Sequence, residues 1–313
     1  MATLIAPDHA DPVADAEALR KACQGWGTDE KAIISIIGHR NAAQRKLIKE
    51  AYQQLYDEDL VKRFEKELSG DLEKAVYRWM LDPMDREAVM ANVAIKKGDY
   101  RVIVELSCIS SPEELLALRR AYQARYKHSL EEDVASHTTG DIRRLLVLLV
   151  SAYRFEGDAT DPRLAETEAD VLQHAVKDKA YNNDEIVRIL TTRSKAQLVA
   201  TFYRYRDVHG TSITKNLSAD HENEFVSVLV TAIRCIKSPK KYLERVVKDA
   251  IHKSRTDEDA LTRVIVTRAE RDLEEIKDLY YKRNSVALEH ALAKETSGPY
   301  EAFLLTLLGN EGH

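Results

Sequence analysis

The sequence predicts an all-α protein built from four related repeats, and three observations support this prediction. The chain has only 11 glycines and 7 prolines among 313 residues, so residues that favour turns are scarce. Apolar residues recur at helical spacing, as in Ile33, Ile34, Ile36 and Ile37, and no segment shows the sustained alternation of a strand. The third observation is a set of sequence marks that returns four times along the chain.

The repeats become visible when the chain is aligned on four anchors: Arg40, Ser110, Arg193 and Arg268. A tyrosine stands 12 residues after each anchor: Tyr52, Tyr122, Tyr205 and Tyr280. An aliphatic residue, predicted to lie on a buried helix face, stands 20 residues after each: Leu60, Leu130, Ile213 and Leu288. Thirty residues after each anchor stands a residue predicted to turn or end a helix in the αL conformation: Gly70, Gly140, Asn223 and Gly298.

The segments just after the anchors predict helix starts. Three of them read as capping boxes: Asn41 with Gln44, Ser111 with Glu114, and Ser194 with Gln197. The fourth, Ala269 with Asp272, lacks the cap side chain. We therefore divide the chain into a tail, 1–13, and four helical repeats, 14–82, 83–160, 161–238 and 239–313. The segment from Glu156 to Pro162 is the candidate linker between halves.

Composition narrows the location and the partners. The N-terminal residues lack the basic and apolar regions of a signal peptide, and the longest apolar runs, such as 145–150, are too short to span a bilayer. We expect a cytoplasmic protein, and three cysteines without a CxxC pair fit a reducing compartment. The net charge of −5 argues against binding nucleic acid. Attachment to a negatively charged surface would need a bridging cation.

A candidate calcium loop lies in the first repeat, where Gly25 and Gly27 flank Trp26. Glycines at alternate positions allow positive φ angles, which can direct successive carbonyl oxygens at one point. Calcium takes roughly 6–8 oxygen ligands and favours carbonyls together with a bidentate carboxylate. The carbonyls of Cys23, Gly25 and Gly27 with a distant carboxylate would leave room for water or a lipid phosphate. The pattern is not that of an EF-hand, because the Asp-rich twelve-residue loop is missing.

The distant carboxylate is Glu67, which stands 42 residues after Gly25 in the segment Lys66-Glu67-Leu68-Ser69-Gly70. Gly25-x-Gly27-Thr28 followed by this glutamate resembles the type II calcium site of annexins, and with the four repeats the resemblance to plant-type annexins covers nearly the whole chain. Without the repeats, the glycines could simply form a helix–helix turn, with Glu67 a solvated helix-end residue.

The resemblance implies five helices in each repeat, a curved disc with the loops on its convex face, and calcium as the bound ion. It also implies calcium-dependent binding to anionic phospholipid membranes by a protein that is monomeric in solution. Accessory ligands would be the Thr28 carbonyl and the Glu30 carboxylate. Alternatively, Thr28 and Asp29 are the N-cap and first-turn acid of the next helix. Trp26 would contact lipid, or would pack on a neighbouring repeat.

The other repeats depart from this pattern. Repeat 2 has Ile95 and Lys97 at the glycine positions and His137 at the acid position, so we expect no type II site there. Repeat 3 keeps an acid, Asp220, but its loop has no glycine, and we expect that this loop does not bind calcium either.

Repeat 4 retains Thr256 and Glu295 but has Lys253 and Arg255 in place of both glycines. A non-glycine residue at positive φ costs about 1 kcal/mol, and added positive charge repels the ion. A weak site is expected, formed by the carbonyls of Ile251, Lys253 and Arg255 with Glu295.

Other functions rest on weaker signals. His39 falls where plant annexins resemble haem peroxidases, but one histidine beside an arginine at a helix end is also typical of a capping residue. Cys108 and Cys235 match two cysteines that plant annexins bring together, so they form either a redox-sensitive pair or two buried apolar thiols. Val187-Arg188-Ile189 resembles a segment linked to F-actin, and cation conduction is also discussed for the family. No P-loop occurs. We expect no enzymatic activity.

Overall fold

The computed structural model describes residues 1–252 and 254–310, and in these ranges the chain forms α-helices and no strand. Repeat 1 contains α1 (Pro12–Ala22), α2 (Glu30–Ile37), α3 (Ala42–Tyr56), α4 (Leu60–Glu67) and α5 (Gly70–Met80). Repeat 2 contains α6 (Pro83–Lys97), α7 (Tyr100–Ile109), α8 (Pro112–Tyr126), α9 (Leu130–Ser136) and α10 (Gly140–Ser151).

Repeat 3 contains α11 (Pro162–Lys177), α12 (Asp184–Thr192), α13 (Lys195–His209), α14 (Ile213–Leu217) with a 3₁₀ turn at Ser218–Asp220, and α15 (Glu224–Lys237). Repeat 4 contains α16 (Pro239–Ile251), α17 (Glu258–Arg268), α18 (Leu273–Asn284), α19 (Leu288–Glu295) and α20 (Gly298–Leu307). The predicted all-α fold with five helices in each repeat is confirmed.

Two compact units divide the chain. Unit 1 joins Met1–Pro83 with the segment that begins at Lys240, and therefore contains repeats 1 and 4. Unit 2 is Met84–Pro239 and contains repeats 2 and 3. The segment from Glu156 to Pro162 lies inside unit 2 between α10 and α11, so it joins two repeats of one unit rather than two units.

The recurring positions form the core of each repeat, as predicted. All four tyrosines that stand 12 residues after the anchors are fully buried, as are the four aliphatic residues at the next shared position: Leu60, Leu130, Ile213 and Leu288. Burying a side chain of this size contributes roughly 1.5–3 kcal/mol, so the fourfold pattern marks the residues that stabilise each repeat.

The helix starts follow the sequence in two repeats and differ in two. Capping boxes form at Asn41 and Ser111. At Ser194 only half of the box forms, because the Gln197 side chain accepts from the backbone N–H of Asp161 at 2.7 Å instead. In repeat 4 the helix begins only at Leu273, and Asp272 pairs with Arg268 at 2.7 Å rather than capping it.

The predicted αL positions are confirmed at three glycines and wrong at the asparagine. Gly70, Gly140 and Gly298 have φ angles of +64°, +60° and +69°. Asn223 has a φ of −78° because it acts as an N-cap, accepting from the backbone N–H of Val226 at 3.2 Å. Asparagine satisfies both roles in general, so the residue type alone did not separate them.

None of the described helices is long and apolar enough to cross a membrane.

Candidate functional site

The α1–α2 loop of repeat 1 has the backbone that its glycines predict. Gly25 and Gly27 have φ angles of +100° and +93°. A Cβ atom built at either position would meet no heavy atom within 4 Å, so glycine is required for its conformation and not for space. The loop is closed at its base by a hydrogen bond of 2.9 Å from the Asp29 N–H to the Ala22 carbonyl.

The carbonyl oxygens of this loop are available as ligands. Within residues 1–252 and 254–310, the carbonyls of Gly25 and Gly27 accept no hydrogen bond. Both residues are exposed. Carbonyl and carboxylate oxygens are the hard donors that calcium prefers.

Glu67 is the last residue of α4, and the structure places it at the loop. Its Oε2 accepts a hydrogen bond of 2.9 Å from the Thr28 hydroxyl, which also lies 3.3 Å from the Glu67 carbonyl. The buried side chains of Phe64 and Leu68 on either side hold this end of α4 in the core. The distant acid and the glycine loop are therefore brought together, as the spacing predicts.

A residue that the sequence analysis did not single out, Arg63, also reaches this loop. Its Nη2 atom donates to the Cys23 carbonyl at 2.7 Å and lies 2.9 Å from Oε1 of Glu67. Arg63 precedes Glu67 by one helical turn on α4, so their i,i+4 spacing was the signal that could have identified it.

Cys23 contributes a carbonyl and not a thiolate to this arrangement. Burial is the main cause that raises the pKa of the Cys23 thiol to about 11; the nearby Glu67 carboxylate acts in the same direction, and Arg63 partly offsets both. The side chain is therefore neutral at physiological pH. No group of three or more histidine, cysteine, aspartate or glutamate side chains that could hold a metal ion occurs in the described part of the chain.

The two residues predicted as accessory ligands, Thr28 and Glu30, lie beside the loop and are half-buried. The N-cap of α2 is Asp29, whose side chain accepts from the Ala32 N–H at 2.9 Å, and Glu30 is the first-turn acid. The alternative assignment of Thr28 as the N-cap is therefore wrong by one residue, and its hydroxyl instead binds Glu67.

Trp26 stands at the tip of the loop and is fully exposed, so it does not pack on a neighbouring repeat. A cleft of about 680 Å³ within unit 1 runs from this loop to the start of α20, where Gly298 and Pro299 line it. A second cleft, of about 410 Å³, is lined by Glu30 from repeat 1 and by Glu258 and Glu295 from repeat 4.

The repeat 4 loop shares part of this geometry. The Thr256 hydroxyl lies 3.4 Å from the Glu295 carbonyl, which matches the contact of Thr28 in repeat 1. Glu295 and Arg255 are exposed, and Ile251 ends α16 as a buried residue. The φ angle of Arg255 is not positive, so this residue does not adopt the backbone conformation of Gly27. Lys253 lies outside the described residues.

The loops of repeats 2 and 3 differ further. In repeat 2 Ile95 is buried within α6, Lys97 ends that helix, and His137 follows α9 with its Nδ1 atom 2.8 Å from the Asp133 carbonyl. In repeat 3 the φ angle of Lys179 is +54°, and its Nζ atom lies 4.0 Å from Oδ2 of Asp220. A lysine beside the acid adds positive charge where an ion would sit.

The candidate redox residues belong to other segments of the chain than this loop. His39 follows α2, and its Nδ1 atom is 3.0 Å from the Ser35 carbonyl, as in a helix-capping contact. Cys108 and Cys235 are buried cysteines outside any disulfide, and they lie on α7 and α15, which pack against each other in unit 2. Burial raises the pKa of Cys108, which disfavours the reactive thiolate. In the actin-like triplet Val187 and Ile189 are buried, so only Arg188 is exposed.

Four five-helix repeats with a glycine-rich loop and a distant glutamate define a calcium-binding class of all-α repeat protein. The annexin sequence profile matches residues 14–79, 87–149, 167–232 and 242–307. Annexin-like protein RJ4 from Fragaria ananassa is 66% identical over 313 residues, covering 99% of this chain and 100% of the relative.

Solved structures agree with this assignment. Chicken annexin V matches with a TM-score of 0.92 at 33% identity, covering 99% of both chains. Calcium-bound annexin (Sm)1 matches with a TM-score of 0.84 at 26% identity, covering 100% of this chain and 94% of the other. The chain belongs to the annexin family and is of the plant type. Membership supports calcium-dependent phospholipid binding as its general activity.

Proposed function

We propose that this chain binds anionic phospholipid membranes when calcium occupies the α1–α2 loop of repeat 1. The observation that carries the proposal is the contact between Thr28 and Glu67, which holds a carboxylate against a loop with exposed Gly25 and Gly27 carbonyls. The ligands would be the carbonyls of Cys23, Gly25 and Gly27 with both carboxylate oxygens of Glu67. Five protein oxygens leave part of the coordination shell of about 6–8 oxygens for water or a lipid phosphate.

Calcium supplies the positive charge that links two negatively charged partners. The chain carries a net charge of −5, so an anionic membrane repels it in the absence of a bridging ion. The Thr28 carbonyl and the Glu30 carboxylate are proposed as accessory ligands for a second ion. The repeat 4 loop is proposed as a weak site, with Ile251, Lys253, Arg255 and Glu295 as its ligands.

Several finer properties are part of the same proposal. The repeats are taken as 14–82, 83–160, 161–238 and 239–313 after a tail of 1–13. The chain is taken to be a cytoplasmic monomer that binds the membrane peripherally when the calcium concentration rises. The absence of enzymatic activity stays a prediction. A redox role for Cys108, Cys235 and His39, binding to F-actin and cation conduction stay alternatives to it.

Vesicle co-sedimentation tests the proposal. The protein should sediment with vesicles containing phosphatidylserine when calcium is present and should remain in the supernatant when a chelator is added. Vesicles of phosphatidylcholine alone should retain little protein at the same calcium concentration, because they lack the anionic headgroup. Equal sedimentation with and without the chelator would contradict a calcium bridge.

Replacing the exposed tryptophan should separate membrane contact from calcium binding. Trp26→Ala is expected to keep calcium binding in solution but to weaken retention on vesicles by about fivefold or more, since burial of a large aromatic side chain contributes on the order of 1 kcal/mol or more. Tyr281→Ala is the matched control, because Tyr281 is an exposed aromatic residue of unit 1 that does not belong to the loop.

Fluorescence provides a second measurement of the same contact. The chain has two tryptophans, and Trp79 is buried with its indole N–H donating to the Ile37 carbonyl at 2.8 Å. In a Trp79→Phe background, Trp26 emission should shift to shorter wavelength only when calcium and anionic vesicles are both present. An emission maximum that stays constant on binding would remove Trp26 from the membrane interface.

A further inference from the structure

The guanidinium group of Arg63 lies between two of the proposed calcium ligands. A single nitrogen atom, Nη2, is 2.7 Å from the Cys23 carbonyl oxygen and 2.9 Å from Glu67 Oε1. Calcium–oxygen distances are about 2.3–2.6 Å, so this nitrogen stands close to the place where an ion would meet the same two oxygens. The two cations cannot hold this place together, because they overlap and repel each other.

The equivalent position in the other repeats does not contact the loop in this way. It is Asp133 in repeat 2, which accepts a hydrogen bond of 2.6 Å from the Tyr122 hydroxyl. It is Asn216 in repeat 3, which donates to the Tyr205 hydroxyl at 2.8 Å. In repeat 4 it is the buried Ala291. Arg63 is therefore a feature of repeat 1, the repeat with the intact glycine loop.

A neighbouring ion pair explains why Arg63 turns towards the loop. The buried tyrosine of repeat 1, Tyr52, already accepts a hydrogen bond of 3.1 Å from Arg20, which pairs with Glu58 at 2.6 Å. In repeat 1 Arg20 therefore makes the contact with the tyrosine hydroxyl that Asp133 and Asn216 make in their repeats. Arg63 reaches the Cys23 carbonyl and the Glu67 carboxylate instead.

We propose that Arg63 is an internal cation that occupies the calcium position of the repeat 1 loop and must leave when calcium binds, so that it sets the calcium affinity of this loop. The inference rests on the proposed function and adds a regulatory residue to the same site. Calcium has to compete with a tethered positive charge as well as with water. The loop therefore responds only at a higher calcium concentration than its glycines and glutamate would otherwise require.

The structure also provides a second partner for the displaced side chain. Oε1 of Glu58 lies 3.8 Å from the Nη1 atom of Arg63, on the side of Arg20. The Nε atom of Arg63 has no hydrogen-bond partner among the described residues, so its present position leaves one donor unsatisfied. A small rotation towards Glu58 would keep the charge of Arg63 paired while freeing the Cys23 carbonyl and Glu67.

The test measures ion binding without membranes, using Tb³⁺ as the probe and calcium as its competitor. Luminescence of Tb³⁺ sensitised by Trp26 reports occupancy of the loop that contains this residue. Two variants, Arg63→Ala and Arg63→Gln, should both tighten calcium binding. Alanine is the residue that repeat 4 has at this position, and glutamine keeps a long side chain with a hydrogen-bond donor but without the charge. We expect a gain of about two- to fivefold, the upper part of the range that partly exposed charged contacts supply.

The control is Lys66→Ala, because Lys66 is an exposed cation on the same helix next to Glu67. Removing its charge should change calcium affinity less than twofold, as expected for screened charges. Calcium binding that is unchanged or weaker in both Arg63 variants, with the fold intact by circular dichroism, would overturn the inference and would instead make Arg63 a support for Glu67.

Glu67→Gln separates this outcome from failure of the proposed function. If Glu67→Gln leaves Tb³⁺ binding intact, the loop is not the site and both proposals fail. If Glu67→Gln abolishes binding but neither Arg63 variant tightens it, the proposed site stands and only the role of Arg63 is wrong.

Discussion

Glu67→Gln is expected to abolish most of the calcium-dependent binding to vesicles that contain phosphatidylserine. The substitution removes the carboxylate that the Thr28 hydroxyl holds against the repeat 1 loop while barely changing the side-chain shape. An amide can still accept from the Thr28 hydroxyl, which is 2.9 Å from Oε2 of Glu67, so local structure should persist. We expect the calcium concentration for half-maximal sedimentation to rise at least about tenfold, since a lost charge on a metal ligand costs roughly 1.4 kcal/mol or more.

The matched control for this variant is Glu295→Gln, which changes the equivalent acid of repeat 4. Glu295 is exposed and its loop lacks both glycines, so its replacement should leave the calcium midpoint almost unchanged. Thermal unfolding of both variants checks that the fold is retained. The ranking of the two loops would be reversed if Glu67→Gln left the calcium midpoint of vesicle binding unchanged. Loss of most vesicle binding in Glu295→Gln would reverse it as well.

Arg255→Gly is expected to create a second competent loop in repeat 4. Arg255 does not have the positive φ that Gly27 has, and its exposed side chain adds positive charge near Glu295. Glycine relieves both effects, because it adopts positive φ without strain and carries no charge. A gain of about 1.4 kcal/mol would raise the calcium affinity of this loop about tenfold.

The gain should be larger on vesicles than in solution. Glu30 and Glu295 line one cleft of unit 1, so the loops of repeats 1 and 4 are neighbours and can engage the same membrane. Arg255→Ala is the matched control, since it removes the charge without favouring positive φ and should recover only part of the gain. Glu295→Gln placed in the Arg255→Gly background should abolish it. Persistence of the gain in that double variant would exclude Glu295 as the ligand.

Much of the fold could be predicted because the chain repeats itself. Each tyrosine that recurs after an anchor is buried, and five helices form in every repeat. The pairing of repeats 1 and 4 in unit 1 was not predicted, since nothing in a periodic pattern says which repeats pack together. Local competition decided two further differences. Asn223 caps a helix instead of adopting αL. Asp272 pairs with Arg268 instead of capping α18, which begins at Leu273.

The candidate site was predicted in its backbone but not in its side-chain partners. Gly25, Gly27 and Glu67 were identified because glycine spacing and a distant acid leave a visible pattern in the sequence. Arg63 was missed because the direction of its side chain depends on Arg20, which already donates a hydrogen bond to the hydroxyl of the buried Tyr52. The i,i+4 spacing indicates a pair of Arg63 with Glu67, but the contact of Arg63 with the Cys23 carbonyl joins residues 40 positions apart and has no periodic signal.

Diffraction from calcium-soaked crystals, with the ion located by its anomalous signal, tests the central claim most directly. We expect an ion in the repeat 1 loop, coordinated by the carbonyls of Cys23, Gly25 and Gly27 and by both carboxylate oxygens of Glu67. Arg63 should have moved from the Cys23 carbonyl towards Glu58. Ions found only in other loops, with Arg63 still bound to Cys23 and Glu67, would contradict it.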